Sequence, residues 1–230
     1  MESRIEFSSP EDLDEILGIH CRCFPESFGV RMGKKFARKT LEWFLSGENK
    51  MMIHVRHQNR ITAYVGCLIP QRTGEGSTSG IISFALRTSA ACFIKKPNLL
   101  FHKSLRPIYR LILKNAFRKI VKRKSLPSIA KDDIPLHKRR LKVVAIGIDP
   151  AFRGKGVVDS IFCFLENLAA EKGYEAVSLS VKKENQRAIK AYRRNGLLVE
   201  KEGIEHLEMK KNIHGVEAKQ VAFSGSFCER

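Results

Sequence analysis

The sequence lacks several features that mark well-defined classes of protein. Its six cysteines form no CxxC pair and no Cys/His cluster with zinc spacing, so neither a zinc ribbon nor a dithiol redox motif is present. No run approaches the ~20 apolar residues that a membrane-spanning helix requires. The chain starts without a basic leader and an apolar core, so we expect no secretory signal. These absences favour a cytoplasmic protein with free thiols and no metal site.

Acidic residues are also scarce. The 230 residues include 42 Lys and Arg against 24 Asp and Glu, which gives a formal net charge of +18. Such an excess favours anionic partners: nucleotides, nucleic acids, acidic glycans or an anionic lipid surface. The composition is otherwise ordinary, with 43% hydrophobic residues, and a chain of this length can bury one good core.

The most informative segment begins at residue 141. A strand-like run, 141–148, ends at Asp149-Pro150 and is followed at once by Arg153-Gly154-Lys155-Gly156 and an amphipathic helix pattern. Glycines let backbone N–H groups approach a phosphate closely, and a helix amino terminus adds about half a positive charge. The sequence therefore predicts an anion site at this turn.

A second segment, about thirty residues further on, contains Asn185, Ala188, Tyr192, Gly196 and Leu197. Together the two segments resemble the GNAT superfamily of acyl-CoA N-acyltransferases. The turn is similar to the family's pyrophosphate signature, Arg/Gln-x-x-Gly-x-Gly/Ala. The second segment is similar to its Asn-x-x-Ala-x-x-x-Tyr-x-x-x-Gly-(Phe/Leu) pattern. One position departs: Val158 stands where the family usually has Gly or Ala, and a β-branched residue there narrows the approach of the helix backbone to a cofactor.

The resemblance implies an α/β (α+β) GNAT fold. Its sheet is mixed and mostly antiparallel, splayed between strands 4 and 5, and flanked by helices, with a basic helical insertion between strands 3 and 4. We expect a single domain over residues 1–212, an insertion at about 72–140, and a loosely ordered tail at 213–230. The expected elements, in order, are strand 4–7, a helix from Ser9-Pro10, helix 34–45, strands 51–55, 61–69 and 141–148, helix 153–172, strand 175–181, helix 185–195 and two short strands.

The resemblance also implies acetyl-CoA as co-substrate, lying in the gap between the splayed strands. It assigns pairing with the pantetheine arm to the backbone of Ile146, Gly147 and Ile148. The pyrophosphate cradle falls to Arg153, Gly154, Lys155, Gly156, Val157 and Val158, with the side chains of Arg153 and Lys155 adding charge. Asn185 is expected to cap the next helix and to contact the cofactor.

Two catalytic residues are predicted. The resemblance places the hydroxyl of Tyr192 beside the departing CoA sulfur, where it protonates the thiolate. The general base is less well marked, because the fourth strand carries no carboxylate where many family members have one. Glu26, in the loop after the first helix, is our first candidate, and His20, His137 and a water relay are the alternatives.

A further resemblance concerns the acceptor. Segments 23–28 and 33–36 are similar to a GNAT subgroup associated with polysaccharide and surface-glycan synthesis, whose members carry a long basic insertion. This implies direct transfer of acetyl to a primary amine, with a nucleotide- or lipid-linked amino sugar as the favoured acceptor. Two alternatives stay open: acetylation of a protein or small-molecule amine, and a degenerate domain that docks on membrane or nucleic acid.

The insertion is strongly basic. Between Gly76 and Lys131 there is no Asp or Glu, but there are thirteen Lys and Arg. From Leu105 to Lys124 an apolar stripe recurs at helical spacing, with basic residues on the other faces. The stripe either packs on the core or lies on an anionic membrane at its cytoplasmic face. Nucleic-acid binding is not favoured, because base-stacking aromatics and a known motif are missing. The oligomeric state stays open.

Overall fold

A seven-stranded sheet organises the chain. The computed structural model describes residues 3–72, 80–81, 84, 133–135 and 138–213. The predicted basic helix at 105–124, His137 and nearly all of the predicted tail lie outside these residues. The strands are β1 (Ser3–Phe7), β2 (Lys50–His57), β3 (Arg60–Leu68), β4 (Arg140–Ile148), β5 (Ala176–Lys182), β6 (Leu198–Glu202) and β7 (His206–Asn212), and they lie in the order β1-β2-β3-β4-β5-β7-β6.

All neighbouring strands are antiparallel except β4 and β5, which are parallel. The predicted fold class is therefore confirmed. Gln58 and Asn59 connect β2 and β3 with positive φ angles of 46° and 62°, as a tight hairpin turn requires.

The helices are α1 (Leu13–Cys23), α2 (Phe28–Arg31), α3 (Lys34–Glu42), α4 (Val157–Glu171) and α5 (Gln186–Arg194). Ser9 and Asp12 form a capping box before α1, with the Ser9 N–H donating to Asp12 Oδ2 at 2.8 Å. The side chain of Asn185 caps α5 by accepting from the Ala188 N–H at 3.2 Å, as predicted.

The helices differ from the sequence prediction in three places. The short helix α2 was not predicted, and the helix expected to reach Leu45 ends at Glu42 with a 3-10 turn after it. The helix expected from residue 153 begins at Val157, because Gly154 and Gly156 have φ angles of 81° and 76°. A left-handed backbone cannot continue a right-handed helix, so these two glycines form a loop before α4.

Two hydrophobic clusters cover the two faces of the sheet. Ile161, Phe162 and Leu165 of α4 pack with Val65 and Val177 on one face. On the other face, α1 and α3 bring residues such as Ile16 and Leu41 against Tyr64 and Leu68. Each such side chain contributes about 1.5–3 kcal/mol when fully buried. Because β3 is covered on both sides, it is apolar almost throughout.

Glycines let two aromatic rings approach the strands closely on the second face. A Cβ at Gly66 would stand 2.8 Å from the ring of Phe44, and one at Gly147 would stand 2.4 Å from Tyr64 Cε1. Tyr64 and Gly147 face each other across β3 and β4. The absence of a side chain at Gly147 therefore fixes how closely β4 and the ring of Tyr64 approach.

We predict that Gly147→Ala lowers the free energy of unfolding by about 1–3 kcal/mol, because the added methyl group overpacks a closed contact. Urea unfolding followed by circular dichroism measures the change. Gly29→Ala is the matched control: its Cβ would meet Phe36 at 3.9 Å, an ordinary contact, in a helix that favours alanine by up to ~1 kcal/mol. Equal stability of the Gly147→Ala variant and the parent would contradict the packing described here.

Candidate functional site

Strands β4 and β5 pair over only half of their length. The parallel ladder runs from Arg140↔Ala176 to Val143↔Leu179 and stops there. At the same point β4 has a bulge, because Gly66 faces Ala145 while Cys67 faces Val143, which leaves Val144 as the extra residue. A bulge bends its strand and increases the local twist. From Val144 onward β4 therefore turns away from β5, and a gap opens between them.

The backbone of β4 presents polar groups to this gap. The Asp149 N–H donates to Thr62 O at 2.8 Å, so Asp149 and every second residue before it direct their backbone N–H and C=O groups towards β3. Ile146 and Ile148 alternate with these residues, and their N–H and C=O groups therefore point away from β3. Ile148 confirms this, since its carbonyl accepts from Cys23 Sγ at 3.1 Å and from Arg153 Nε at 3.2 Å. This edge of β4 is suited to a ligand that pairs as an added strand.

A cavity of about 740 Å³ occupies the gap. The end of α1, the unpaired half of β4, the glycine loop and α5 form its walls. Ten of the residues predicted to bind the cofactor, including the predicted proton donor Tyr192, line this cavity: Ile146, Gly147, Ile148, Arg153, Gly154, Gly156, Val157, Val158, Asn185 and Tyr192.

The glycine loop forms the end of the cavity nearest to α4. Gly156 is the residue before the helix, and its carbonyl accepts from the Ser160 N–H at 3.1 Å. The N–H groups of the first helical turn need partners from outside the helix, and the helix dipole makes an anion the favoured one. Val158 lines the cavity and also packs against the core, so its side chain is partly withdrawn from the loop.

Lys155 differs in position from the other predicted residues of the loop. Its ammonium lies 5.0 Å from the ring centroid of Phe152, a cation–π contact, and its side chain is not part of the cavity wall. Arg187, Lys190 and Arg194 of α5 line the wall instead. Sequence reasoning missed these three, although their spacing of three and four residues places them on one helix face. Arg194 also pairs with Asp159 of α4 at 2.9 Å.

Tyr192 is buried and lines the cavity. Only 7% of the residue is exposed, and its ring meets Phe162 edge-on at 5.6 Å. Burial raises the pKa of Tyr192 to about 12, because the phenolate form is poorly solvated there. The hydroxyl is therefore protonated at neutral pH, the form that a proton donor needs.

Two of the predicted bases, Glu26 and His20, do not line the cavity. Glu26 is exposed and pairs with Arg31, outside the cavity wall. The His20 Nδ1 lies 2.5 Å from the hydroxyl of the fully buried Tyr64, and burial lowers the pKa of His20 to about 4. His20 packs behind Phe24 rather than in the wall. Among the described residues that line the cavity there is no carboxylate and no imidazole.

The described residues contain neither a metal-binding cluster nor a membrane-spanning helix. No group of three or more His, Cys, Asp or Glu within residues 3–72, 80–81, 84, 133–135 and 138–213 is arranged to hold a metal ion. No helix in the same ranges is both long and apolar enough to cross a membrane.

Part of the chain matches a known protein family. The model of the acetyltransferase (GNAT) family matches residues 127–197, which include the glycine loop, Asn185 and Tyr192. No curated protein matches significantly. The match supports the predicted GNAT superfamily and enzyme class, an acyltransferase.

Solved structures of the same fold were found as well. A GNAT-family acetyltransferase from Streptococcus pneumoniae is 14% identical, with a TM-score of 0.53 and coverage of 93% of this chain and 100% of its own. The PaiA N-acetyltransferase from Thermoplasma acidophilum, solved with coenzyme A, is 11% identical, with a TM-score of 0.53 and coverages of 92% and 99%. Arabidopsis thaliana NAA60, solved with acetyl-CoA, is 13% identical, with the same TM-score and coverages of 92% and 99%. At such identities the likeness concerns the fold.

Proposed function

We propose that this chain is an acetyl-CoA-dependent N-acetyltransferase that passes acetyl directly to a primary amine. One observation carries the proposal. The unpaired edge of β4, the glycine loop before α4 and the side of α5 that carries the buried residue Tyr192 all border a single cavity. A strand-like edge, an anion cradle and a proton donor are what an acyl-pantetheine thioester linked to a nucleotide diphosphate requires.

Each part of the cavity has a role in this proposal. The N–H and C=O groups of Ile146 and the N–H group of Ile148 pair with the amides of the pantetheine arm, since the Ile148 carbonyl already accepts from Cys23 and Arg153. The N–H groups between Arg153 and Val158 bind the pyrophosphate, and Arg153 adds charge. This places the thioester near the bulge at Val144, where the gap opens.

Tyr192 acts at the end of the transfer. The amine nitrogen attacks the thioester carbonyl, the C–N bond forms, and the C–S bond breaks with its electron pair leaving on sulfur. The hydroxyl of Tyr192 gives its proton to this thiolate and regains one from solvent. Because no carboxylate or imidazole belongs to the described cavity wall, we assign removal of the amine proton to water rather than to Glu26.

The first prediction concerns the cofactor. Acetyl-CoA at a hundredfold excess over its Kd should stabilise the protein by about 2.7 kcal/mol, seen as an increase in Tm. Gly156→Asp should abolish this increase, because its carboxylate faces the pyrophosphate and its side chain blocks the loop.

Gly173→Asp is the matched control. Gly173 has a φ of 67°, close to the 76° of Gly156, and lies beyond the other end of α4 with open space around it. Both variants therefore suffer the same kind of backbone strain. We expect Gly173→Asp to keep the acetyl-CoA effect on Tm. If Gly156→Asp keeps it as well, the loop does not bind the pyrophosphate.

The second prediction separates chemistry from binding. Tyr192→Phe should lower kcat by roughly ten- to a thousandfold while the Kd for acetyl-CoA stays nearly constant, because only proton donation is lost. Steady-state kinetics and calorimetric titration measure the two quantities. Wild-type turnover in the variant would show that Tyr192 serves packing against Phe162 and that another group protonates the thiolate.

For the acceptor we propose a phosphate-bearing amino sugar, either nucleotide-linked or lipid-linked. Arg187 and Lys190 of α5 line the described part of the cavity in addition to Arg153, which we assign to the pyrophosphate, and Arg194, which pairs with Asp159; no acidic residue belongs to the described cavity wall. This charge attracts an acceptor that carries phosphate beside its amine and repels polycationic acceptors. The resemblance of segments 23–28 and 33–36 to glycan-synthesis enzymes supports the same choice. The proposal does not depend on the basic segment 105–124.

Kinetics with matched acceptors test this proposal. We predict that a nucleoside-diphosphate amino sugar has a kcat/KM about tenfold or more above that of the same sugar without phosphate, and that 0.5 M salt reduces the difference. Spermidine and a peptide with a free amino terminus complete the series. A preference for either of them would exclude the amino-sugar acceptor and leave the acetyltransferase assignment intact.

A further inference from the structure

Asp149 is an unusual residue for its position, because it is a carboxylate buried where the chain leaves β4. Only 7% of its side chain is exposed. It is the one acidic residue that is buried in the described part of the chain. A buried charge is costly unless it is paired and hydrogen-bonded, so its partners must be specific.

The partners of Asp149 come from three directions. Oδ1 accepts from the Ala151 N–H at 3.1 Å, within the turn that leads to the glycine loop. Oδ2 accepts from Arg22 of α1 at 2.8 Å and pairs with Arg60 of β3 at 3.4 Å. Burial alone would raise the pKa of Asp149, but the bonds from Ala151 and Arg22 and the charge of Arg60 hold it below its ordinary value. The carboxylate is therefore ionised at neutral pH.

Two of the groups that Asp149 joins, Ala151 and Arg22, are sequence neighbours of residues that line the cavity. Phe152 and Arg153, which follow its turn, line the cofactor end. Cys23, the residue after Arg22, lines the α1 wall and donates to Ile148 O, one residue before Asp149. Asp149 and Arg22 thus connect the start of the glycine loop to the end of α1, beside the Ile148 carbonyl, which accepts from both Cys23 and Arg153.

We propose that Asp149 is a positioning residue, which through Ala151 and Arg22 holds the cofactor loop and the α1 wall at the separation that acetyl-CoA requires. This proposal rests on the proposed function, which supplies acetyl-CoA as the ligand. We infer in addition that the ion pair between Arg22 of α1 and Asp149 after β4 sets the affinity for acetyl-CoA and the turnover without contacting the cofactor.

The test uses Asp149→Asn, which keeps an oxygen for the Ala151 N–H and removes the charge that holds Arg22. We expect the Kd for acetyl-CoA to rise about tenfold or more and kcat/KM for acetyl-CoA to fall at least as much, measured well below the Tm of every variant. Arg22→Gln should act similarly. The double variant should be no worse than the stronger single one, because both changes break one interaction.

Glu200→Gln is the matched control. Glu200 is also a carboxylate held by two cations, Arg140 at 2.8 Å and Lys210 at 3.1 Å. Arg140 is the first residue of β4 and Asp149 follows its last residue. The ion pair of Glu200 with Arg140 therefore lies roughly 25 Å along the strand from Asp149. We expect Glu200→Gln to lower Tm and to leave the Kd and kcat/KM unchanged. If Asp149→Asn also lowers Tm and leaves the Kd and kcat/KM unchanged, the proposal is overturned.

A second readout needs no cofactor. If Asp149 holds the two walls, iodoacetamide should modify Cys23 several-fold faster in Asp149→Asn and Arg22→Gln than in the wild type, as measured on the Cys23 peptide by mass spectrometry. Unchanged Cys23 rates together with unchanged Kd values would overturn the positioning role, and Arg22→Gln decides if Asp149→Asn does not fold. A wild-type chain that binds no acetyl-CoA overturns the proposed function instead, and the Cys23 rates then decide the positioning role alone.

Discussion

The half-paired state of β4 is the constraint on which the rest of the site depends. Up to Val143 the strand is an ordinary member of the sheet, bonded to both β3 and β5. Beyond the bulge at Val144 it keeps only β3, and its other edge carries backbone groups that no described strand satisfies. Unpaired backbone groups in a largely buried setting need a partner. Because β4 and β5 do not pair beyond Val143 and Leu179, one edge of β4 stays open to a ligand. The glycine loop and α5 lie around that edge.

The distribution of charge follows from the same geometry. The net charge of +18 indicates an anionic partner but does not locate its site. The structure gathers four basic side chains, from the glycine loop and α5, at one cavity. The buried acid Asp149 lies behind the loop, where it is neutralised by Arg22 and Arg60, while the exposed acid Glu26 pairs with Arg31 away from the wall. Asp159 pairs with Arg194, so the positive charge at the cavity that these acids leave uncompensated is that of Arg153, Arg187 and Lys190.

Much of this arrangement was predictable from the sequence, because it is encoded locally. Gly154 and Gly156 mark a loop, Asn185 marks a helix cap, and the alternating apolar runs mark strands. The strand order and the splay followed from the resemblance of two motifs. Other features were not predictable. Phe152 is only three residues from Lys155, but their contact depends on how the backbone of the glycine loop folds, which the sequence does not show. Asp149 depends on a distant contact: nothing near it shows that Arg22, 127 positions away, neutralises it. The prediction that Glu26 acts as a base assumed that its loop faces the cavity, whereas in the structure Glu26 is exposed, pairs with Arg31 and does not line the described cavity wall.

The central claim is that the unpaired edge of β4 binds the pantetheine arm of acetyl-CoA. Backbone amide hydrogen exchange, followed residue by residue by NMR with and without acetyl-CoA, tests it most directly. The account predicts that acetyl-CoA slows exchange at the amides of Ile146 and Ile148, which face the gap, while Gly147, already turned to β3, changes little. Strong protection elsewhere in the sheet with no change at Ile146 and Ile148 would contradict it.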